Sequence, residues 1–334
     1  MRRVKWCITG GCGFIGTSLI RRLQKSGDHR IRVLDNLTVG SRADLAGAGQ
    51  FIEARAESLP DFEKQTAPVI LVADDIRNER AMMAAASGAD VLIHLAANTG
   101  VQPSIANPRS DCEINVLGTL SALEAARNGG VKRFVFASSG APVAGNPPPI
   151  HEGAPPRPVA PYGASKLAGE GYCAAYFNTF GLGTVALRFG NVYGPFSSHK
   201  SSVVAKFIKT AMAGGSIEIY GDGSQTRDFI HTDDLIDAVW LSATVPDIGG
   251  EIFQIASGAE TTINELASLL VLLLRAAGLT HLRVVHGSPL RGDAKRNFAD
   301  TSKSSRVLGW SPKIPLRSGL ETTIAWFLEA GHHE

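Results

Sequence analysis

An α/β fold built on a doubly wound parallel sheet, with a smaller and irregular C-terminal domain, is what this 334-residue chain predicts. Three observations carry the expectation. Short, nearly continuous apolar runs alternate with longer stretches of helical spacing up to about residue 190. A glycine-rich turn, Gly10-Gly11-Cys12-Gly13-Phe14-Ile15-Gly16, lies between the first such run and the first helix. An acid, Asp35, ends the second run. Strands that are apolar on both faces belong to sheets covered by helices on both sides, and such sheets are parallel.

The elements follow in order. Residues 4–9 read as a strand, 14–25 as a helix, 31–34 as the next strand, and 69–72 and 91–95 as two more, with a helix over 81–87 between them. Residues 115–127 read as a helix, 133–136 as a strand, 162–180 as a long helix and 183–189 as a strand. The span between Asp35 and Asp75 is long and has room for an extra surface element. Residues 147–161 are rich in Pro and Gly and predict a loop, since Pro neither donates to a ladder nor continues a helix. Beyond about residue 190 the alternation breaks, Gly and Pro punctuate the chain, and shorter elements are expected. Residues 266–274 form the most apolar run, which predicts a buried helix; about 20 residues are needed to span a bilayer.

Composition narrows the class. With 44% hydrophobic and 19% charged residues, the chain has material for a large core and too little charge for disorder. A net charge of +2 gives no field to attract nucleic acid or an anionic membrane surface. Cys7, Cys12, Cys112 and Cys173 are scattered without CxxC spacing, which predicts neither a disulfide framework nor a zinc site and fits a reducing cytoplasm. The N-terminal residues show no apolar leader region, so a cytoplasmic location is expected.

The turn at residues 10–16 holds GxGxxG spacing over Gly11, Gly13 and Gly16, with Gly10 before it. Glycines there allow a tight turn and close approach of a pyrophosphate, and the following helix offers free N–H groups and the positive end of its dipole. Asp35 stands 19 residues past Gly16, at a strand end, where a carboxylate accepts from ribose hydroxyls. Together these predict a Rossmann-like dinucleotide site. An acid there repels a 2′-phosphate and so favours NAD over NADP, with Arg42 as the nearby residue that argues the other way. On this basis the NAD-binding domain is drawn at 1–187, with 224–257 returning to it, and the substrate domain at 188–223 and 258–334.

Tyr162 and Lys166 lie four apart at the start of a helix and so share a face. A nearby ammonium favours a phenolate, so the pair suits a general base working near neutrality. Ser139, at the carboxyl end of the strand over 133–136 and beyond, offers a hydroxyl to share a proton with a substrate oxygen; neighbouring Ser138 remains the alternative. Taken alone, Tyr-x-x-x-Lys is far more often a surface helix pair. Behind a dinucleotide loop it reads as catalytic.

Further segments stand in order with these: Ala73-Asp74-Asp75-Ile76-Arg77, His94-Leu95-Ala96-Ala97, Asn115-Val116-Leu117-Gly118-Thr119, Arg188-Phe189-Gly190-Asn191-Val192-Tyr193-Gly194-Pro195, residues 221–229, Arg291-Gly292-Asp293 and Leu308-Gly309-Trp310. Over nearly its whole length the chain resembles the extended short-chain dehydrogenases/reductases of the nucleotide-sugar epimerase and dehydratase family. The resemblance implies a tightly held NAD, a nucleoside-diphosphate sugar oxidised at C4, and a homodimer paired through the helices near 115–127 and 162–180. It implies Ser139, Tyr162 and Lys166 as catalytic residues. For the cofactor it implies Gly10, Gly13, Phe14, Ile15, Gly16, Asp35, Asn36, Leu37, Gly40, Asp75, Ile76, Leu95, Ala96, Ala97, Asn115, Phe189 and Val192 alongside Tyr162 and Lys166. For the sugar nucleotide it implies Ser104, Asn191, Val203, Tyr220, Arg227, Arg291, Asp293 and Asn297 alongside Ser139. A guanidinium fork suits a diphosphate, although any single arginine is as readily a solvated surface residue.

The family's branches differ after the catalytic hydroxyl residue. Its dehydratases carry an Asp-Glu pair there, and its decarboxylating members a Glu nearby. Residues 139–145, Ser139-Gly140-Ala141-Pro142-Val143-Ala144-Gly145, contain no carboxylate. Elimination without its acid–base pair loses about 10² to 10⁴ in rate per missing group. The expectation is therefore a 4-epimerase acting on UDP-glucose/galactose or N-acetyl equivalents. The alternatives are a dehydratase, decarboxylase or keto-sugar reductase of the same family, or a non-catalytic NAD-binding protein. In family epimerases a side chain shortly before the Ala299-Asp300 position borders the C2 substituent of the sugar, which falls here on Asn297.

Overall fold

The structure, a computed structural model, describes residues 3–289 and 295–331. Eight strands form one sheet in the order β12-β7-β6-β5-β1-β2-β4-β3, where β1 is Lys5–Thr9, β2 Arg30–Asp35, β3 Ile52–Glu53, β4 Val69–Ala73, β5 Val91–His94, β6 Arg133–Ser139, β7 Gly183–Phe189 and β12 Glu251–Ile255. Every pairing in it is parallel. The chain leaves β1 in one direction through β2 and β4, then returns to β5 on the other side. That reversal beside β1 is where a doubly wound sheet opens a crevice for ligand.

Both faces of the sheet are buried, as their sequences require. Trp6, Ile8, Val33, Ile93 and Val135 point into one layer with α1 (Phe14–Ser26) and α9 (Thr232–Thr244). Cys7, Leu34, Leu92, Phe134 and Phe136 alternate with them into the other layer, against α3 (Glu79–Ala86), α6 (Gly118–Asn128) and α7 (Pro161–Phe180). Period-two alternation with apolar residues on both sides is what produces the continuous apolar runs. Each fully buried Leu, Ile or Phe contributes about 1.5–3 kcal/mol. α3 starts two residues earlier than the sequence suggests, because the Asn78 side chain accepts from the Ala81 N–H and caps it.

Helix over 115–127 is longer than expected and irregular. It begins at α5 (Pro108–Cys112), capped by Asn107 with Pro108 in the first turn, passes through a π-turn at Glu113–Leu117, and continues as α6. Between Asp35 and Asp75 the chain inserts α2 (Arg42–Ala48), β3 and two short 3₁₀ turns, which is the surface element anticipated there. Residues 147–160 carry no helix or strand, only an isolated bridge between Ile150 and Ala299.

The expectation of shorter elements beyond residue 190 is corrected. α8 (Val203–Met212), α9, α10 (Ile263–Ala276) and α11 (Leu316–Gly331) have 10 to 16 residues. What is short there is the strands: β8 (Asn191–Tyr193) pairs with β11 (Phe229–His231), β10 (Thr226–Arg227) with β13 (Thr261–Thr262), and β9 (Ser216–Tyr220) with β14 (Arg283–Gly287). The glycines and prolines obscured helices whose apolar faces build a second core, with Phe207, Ile208, Ile217, Leu266, Leu270, Leu320 and Phe327 at its centre. Meanwhile α9 and β12 return to the main sheet, β12 lying against β7. α4 (Val101–Ala106) completes the helices that flank the crevice.

Candidate active site

The loops after β1, β2, β5, β6 and β7 leave the same edge of the sheet. Thr9 is level with both Leu34 and His94, and Ser139 is level with Phe189, so residues 10, 35, 95, 139 and 189 face one crevice. The turn after β1 is packed to its limit. A Cβ on Gly10, whose φ is 70°, would meet the Ala96 nitrogen at 2.7 Å; one on Gly16 would meet the Gly10 oxygen at 2.5 Å. Only glycine lets α1 start this close to the strand ends. α1 has no side-chain cap and no acid in its first turn, so its N-terminus is left for an anion.

Asp35 is buried at the end of β2 and accepts from the N–H groups of Cys12 (2.9 Å) and Leu37 (2.8 Å). Burial lifts its pKa above the ordinary carboxylate value, and those two donors work against the rise. Each oxygen retains lone-pair capacity for a ribose hydroxyl. Leu37 adopts a φ of 58°, and Gly40 packs against the Cys12 carbonyl. Arg42, the residue that argued for a 2′-phosphate, is held by Glu53 through two 2.8 Å hydrogen bonds. Asp75 accepts from Arg77 and from Asn36, which hold its pKa down to about 2. Ile76 is buried against Gly118. Leu95, Ala96, Ala97, Phe14, Ile15 and Val192 are all half-buried along the crevice.

Ser139 and Tyr162 come together as the sequence suggests, with a hydrogen bond between their side chains. Lys166 behaves differently from expectation. Its ammonium donates to the Ala137 carbonyl at 2.8 Å and lies 5.9 Å from the centre of the Tyr162 ring. Burial pushes the Tyr162 phenol up to about 12 and the Lys166 ammonium down to about 8; the Ser139 hydrogen bond opposes the rise at Tyr162, while buried Asp111 adds to it. The lysine alone therefore does not make this phenol a base near neutrality. Desolvation is the largest influence on the phenol.

Asn115 sits in the π-turn and is buried. Its amide oxygen accepts from the Asn98 N–H (2.8 Å), and its amide nitrogen donates to the Asn98 carbonyl, Asp111 and Ser165 (2.9, 2.9 and 3.2 Å). Its polar atoms thus tie the loop after β5 to α7, which holds Tyr162 and Lys166 in place. His94 is likewise internal, between Thr9 (2.8 Å) and Thr119 (3.1 Å), with its pKa lowered by burial to about 3.

Sequence reasoning missed what lies under the carboxyl edge of β6 and β7. Glu170, one turn beyond Lys166, accepts from Arg188 at two 2.8 Å hydrogen bonds and from Ser138 at 2.5 Å. Both ion-pair partners are almost fully buried. This network separates the two serines: Ser138 faces the protein and Ser139 faces Tyr162. The spacing of Lys166 and Glu170 was the available signal, since residues four apart on a helix share a face.

On the substrate side, Asn297 lies beside the catalytic turn: a Cβ on Gly140 would be 3.7 Å from either polar atom of its amide. Asn191 opens β8 and its N–H donates to the Asp228 carbonyl. Val203 starts α8 and packs on the second core. The Tyr220 hydroxyl accepts from Lys206 at 2.7 Å, and Arg227 donates to the Thr226 carbonyl at 2.6 Å. Ser104 departs from expectation: it is fully buried in α4 and its hydroxyl donates to the Val101 carbonyl, so it lines no open surface. Arg291 and Asp293 lie outside the described residues. Also unanticipated is the segment 194–200, which crosses from β8 to α8 over α1 and α2.

Comparison with known proteins gives the family and the fold. The model of the NAD dependent epimerase/dehydratase family matches residues 6–256. A UDP-glucose 4-epimerase from Mycolicibacterium smegmatis is 36% identical over 324 residues, 96% of this chain and 97% of that one. The crystal structure of a UDP-glucose 4-epimerase from Thermotoga maritima with UDP-glucose superposes with a TM-score of 0.85 at 31% identity, covering 98% of this chain and 99% of the other. A dTDP-glucose 4,6-dehydratase from Streptomyces venezuelae, solved with NAD bound, gives a TM-score of 0.84 at 32% identity over 98% of each chain.

Proposed function

The chain belongs to the NAD dependent epimerase/dehydratase family, and from that premise we propose that it inverts C4 of a nucleoside-diphosphate sugar, of the UDP-glucose/galactose or N-acetylhexosamine kind, through a transient 4-keto sugar. One observation carries the reading. The turn after Ser139 contains no carboxylate, and among the described residues three buried acids are hydrogen-bonded within the protein: Glu170 by Arg188 and Ser138, Asp111 by Asn115, and Asp228 by Ser257, Gly258 and Ala299. Expelling water across C5 and C6 needs an acid–base pair, and residues 139–145 supply none. Inversion at C4 needs a single proton acceptor and the cofactor.

NAD, when bound, supplies a hydride acceptor and donor together with the positive charge of its oxidised ring. The glycine turn, Asp35 and Asp75 hold it. Tyr162 takes the proton of the sugar 4-hydroxyl and gives it back, while the Ser139 hydroxyl, bonded to Tyr162, shares that proton with the sugar oxygen. Lys166 and Asn115 fix the geometry of α7 against the crevice. With burial raising Tyr162 to about 12, further cationic charge beside the phenol would favour its ionised form, and the oxidised ring of NAD would supply it. Arg227 and the segment around Arg291 suit the substrate's diphosphate. Leu117, Tyr172 and Phe180 are exposed apolar residues on and beside α6 and α7, which supports a homodimer through those helices. Three buried free cysteines and exposed Cys112 suit a reducing, cytoplasmic setting.

The test is incubation of the purified protein, without added cofactor, with UDP-, dTDP-, GDP- and CDP-sugars, with products read by NMR. A pair of C4 epimers at equilibrium is expected. A 4-keto-6-deoxy product, release of CO₂, or turnover only with added NAD(P)H would replace this reading with one of the family's other chemistries.

A further inference from the structure

Residues 194–200 form a strap between β8 and α8 that is fastened to the cofactor-binding side. Phe196, at a φ of 67°, is stacked under the Arg21 guanidinium (3.5 Å from the ring centre) and against Trp326 of α11. The His199 ring nitrogen lies 3.2 Å from the Asp44 carboxylate on α2. The strap is braced from behind, where Lys209 donates to the carbonyls of Ser198 (2.7 Å) and Lys200 (2.9 Å). These contacts bring the Lys200 ammonium to 5.8 Å from the centre of the Phe14 ring, the first residue of α1.

Over the Phe14 ring the ammonium gains a cation–π attraction, which the positive end of the α1 dipole opposes. The N-terminus of a helix carries about half a positive charge, and a cation beside it is repelled. α1 has no acid in its first turn, and no acidic partner for the Lys200 ammonium is found among the described residues. Burial also disfavours its charged form. An anion lying between the helix end and the ammonium would reconcile the two, and the diphosphate of a dinucleotide held by the glycine turn would supply it.

We propose that the strap closes over the glycine turn and that Lys200 is a binding residue for the diphosphate of the dinucleotide, so that a segment from the substrate side retains the cofactor. The inference rests on dinucleotide binding, not on the reaction at C4. Both ligands of this site carry a diphosphate. Proximity to Phe14 assigns Lys200 to the dinucleotide, and the sugar nucleotide is the competing source.

The experiment compares wild type, Lys200→Gln and Lys200→Arg as purified holoenzymes. Bound NAD per chain is measured after acid release, and its dissociation rate by chase with isotopically labelled NAD; neither readout needs turnover. A charge-assisted contact predicts that Lys200→Gln releases NAD roughly tenfold faster or more, that Lys200→Arg restores retention to within about threefold, and that salt speeds release from wild type more than from Lys200→Gln. Equal NAD release from wild type and Lys200→Gln overturns the proposal. If in addition the KM for the sugar nucleotide rises in Lys200→Gln, the cation belongs to the substrate's diphosphate instead.

Discussion

Replacing Glu170 by Gln isolates the energetic role of the network beneath the catalytic edge. Glu170 and Arg188 have side chains 3% and 4% exposed, joined by two 2.8 Å hydrogen bonds, and Ser138 adds a third bond to the carboxylate. Glu170→Gln keeps the volume but removes the charge and one of the two acceptors, which leaves a buried guanidinium with a single amide oxygen and a 3.4 Å contact to the Glu152 carbonyl in place of its counter-ion. Breaking one side of such a pair costs about 3–5 kcal/mol. At roughly 2 °C per kcal/mol for a chain of this size, Tm falls by about 6–10 °C. The double variant Glu170→Leu/Arg188→Met, which removes both charges, should recover most of that loss, because the pair's mutual attraction mainly offsets its own desolvation. The assay is thermal unfolding followed by circular dichroism at one fixed, saturating NAD concentration, since bound ligand shifts Tm by mass action. A Glu170→Gln protein melting within about 2 °C of wild type, or a double variant less stable than the single one, would refute the reasoning.

The other predictions concern the site and its surroundings. His94 has a folded-state pKa near 3 against 6.5 in the unfolded chain, so its contribution is full above pH 6.5 and is lost as pH falls toward 3. Between pH 6.5 and 5 the stability of wild type should drop by about 2 kcal/mol more than that of His94→Gln; parallel pH profiles by denaturant titration would show that His94 is not the buried neutral group described. Tyr162→Phe should lose at least about 10² in turnover while retaining NAD, and a variant keeping more than about a tenth of wild-type activity rules Tyr162 out as the proton acceptor. Asn297→Tyr should depress turnover of N-acetylhexosamine substrates selectively, because a larger ring beside Gly140 fills the space at C2; equal loss on both sugar types, or none, places that residue away from C2. Asp35→Ala should purify with little bound cofactor, since the Cys12 and Leu37 N–H groups lose their acceptor together with the ribose contact; full NAD occupancy contradicts the role given to Asp35.

The parallel sheet was legible because strands covered on both faces leave uninterrupted apolar runs, and residues 69–73 or 91–94 admit little else. The glycine turn was legible for a related reason: no other residue fits where a Cβ meets backbone at 2.5 Å. What escaped sequence reasoning depends on distant partners. Nothing near Arg188 in sequence announces Glu170, and nothing near Lys200 announces Phe14. The Lys166 effect on Tyr162 was overestimated because spacing reports proximity but not desolvation, and burial dominates both groups. The burial of Ser104 was not legible because a hydroxyl on a short helix looks the same in sequence whether it faces outward or its own backbone.

The central claim is inversion at C4 by a hydride that leaves and returns within one site. It is tested most directly by supplying UDP-glucose carrying deuterium at C4 to the purified protein with no added cofactor and following the products by NMR. The account predicts a mixture of the two C4 epimers, each with deuterium still at C4. Deuterium found at C6 of a 4-keto-6-deoxy sugar would mean that the site eliminates water despite lacking an acid after Ser139, and would contradict the account.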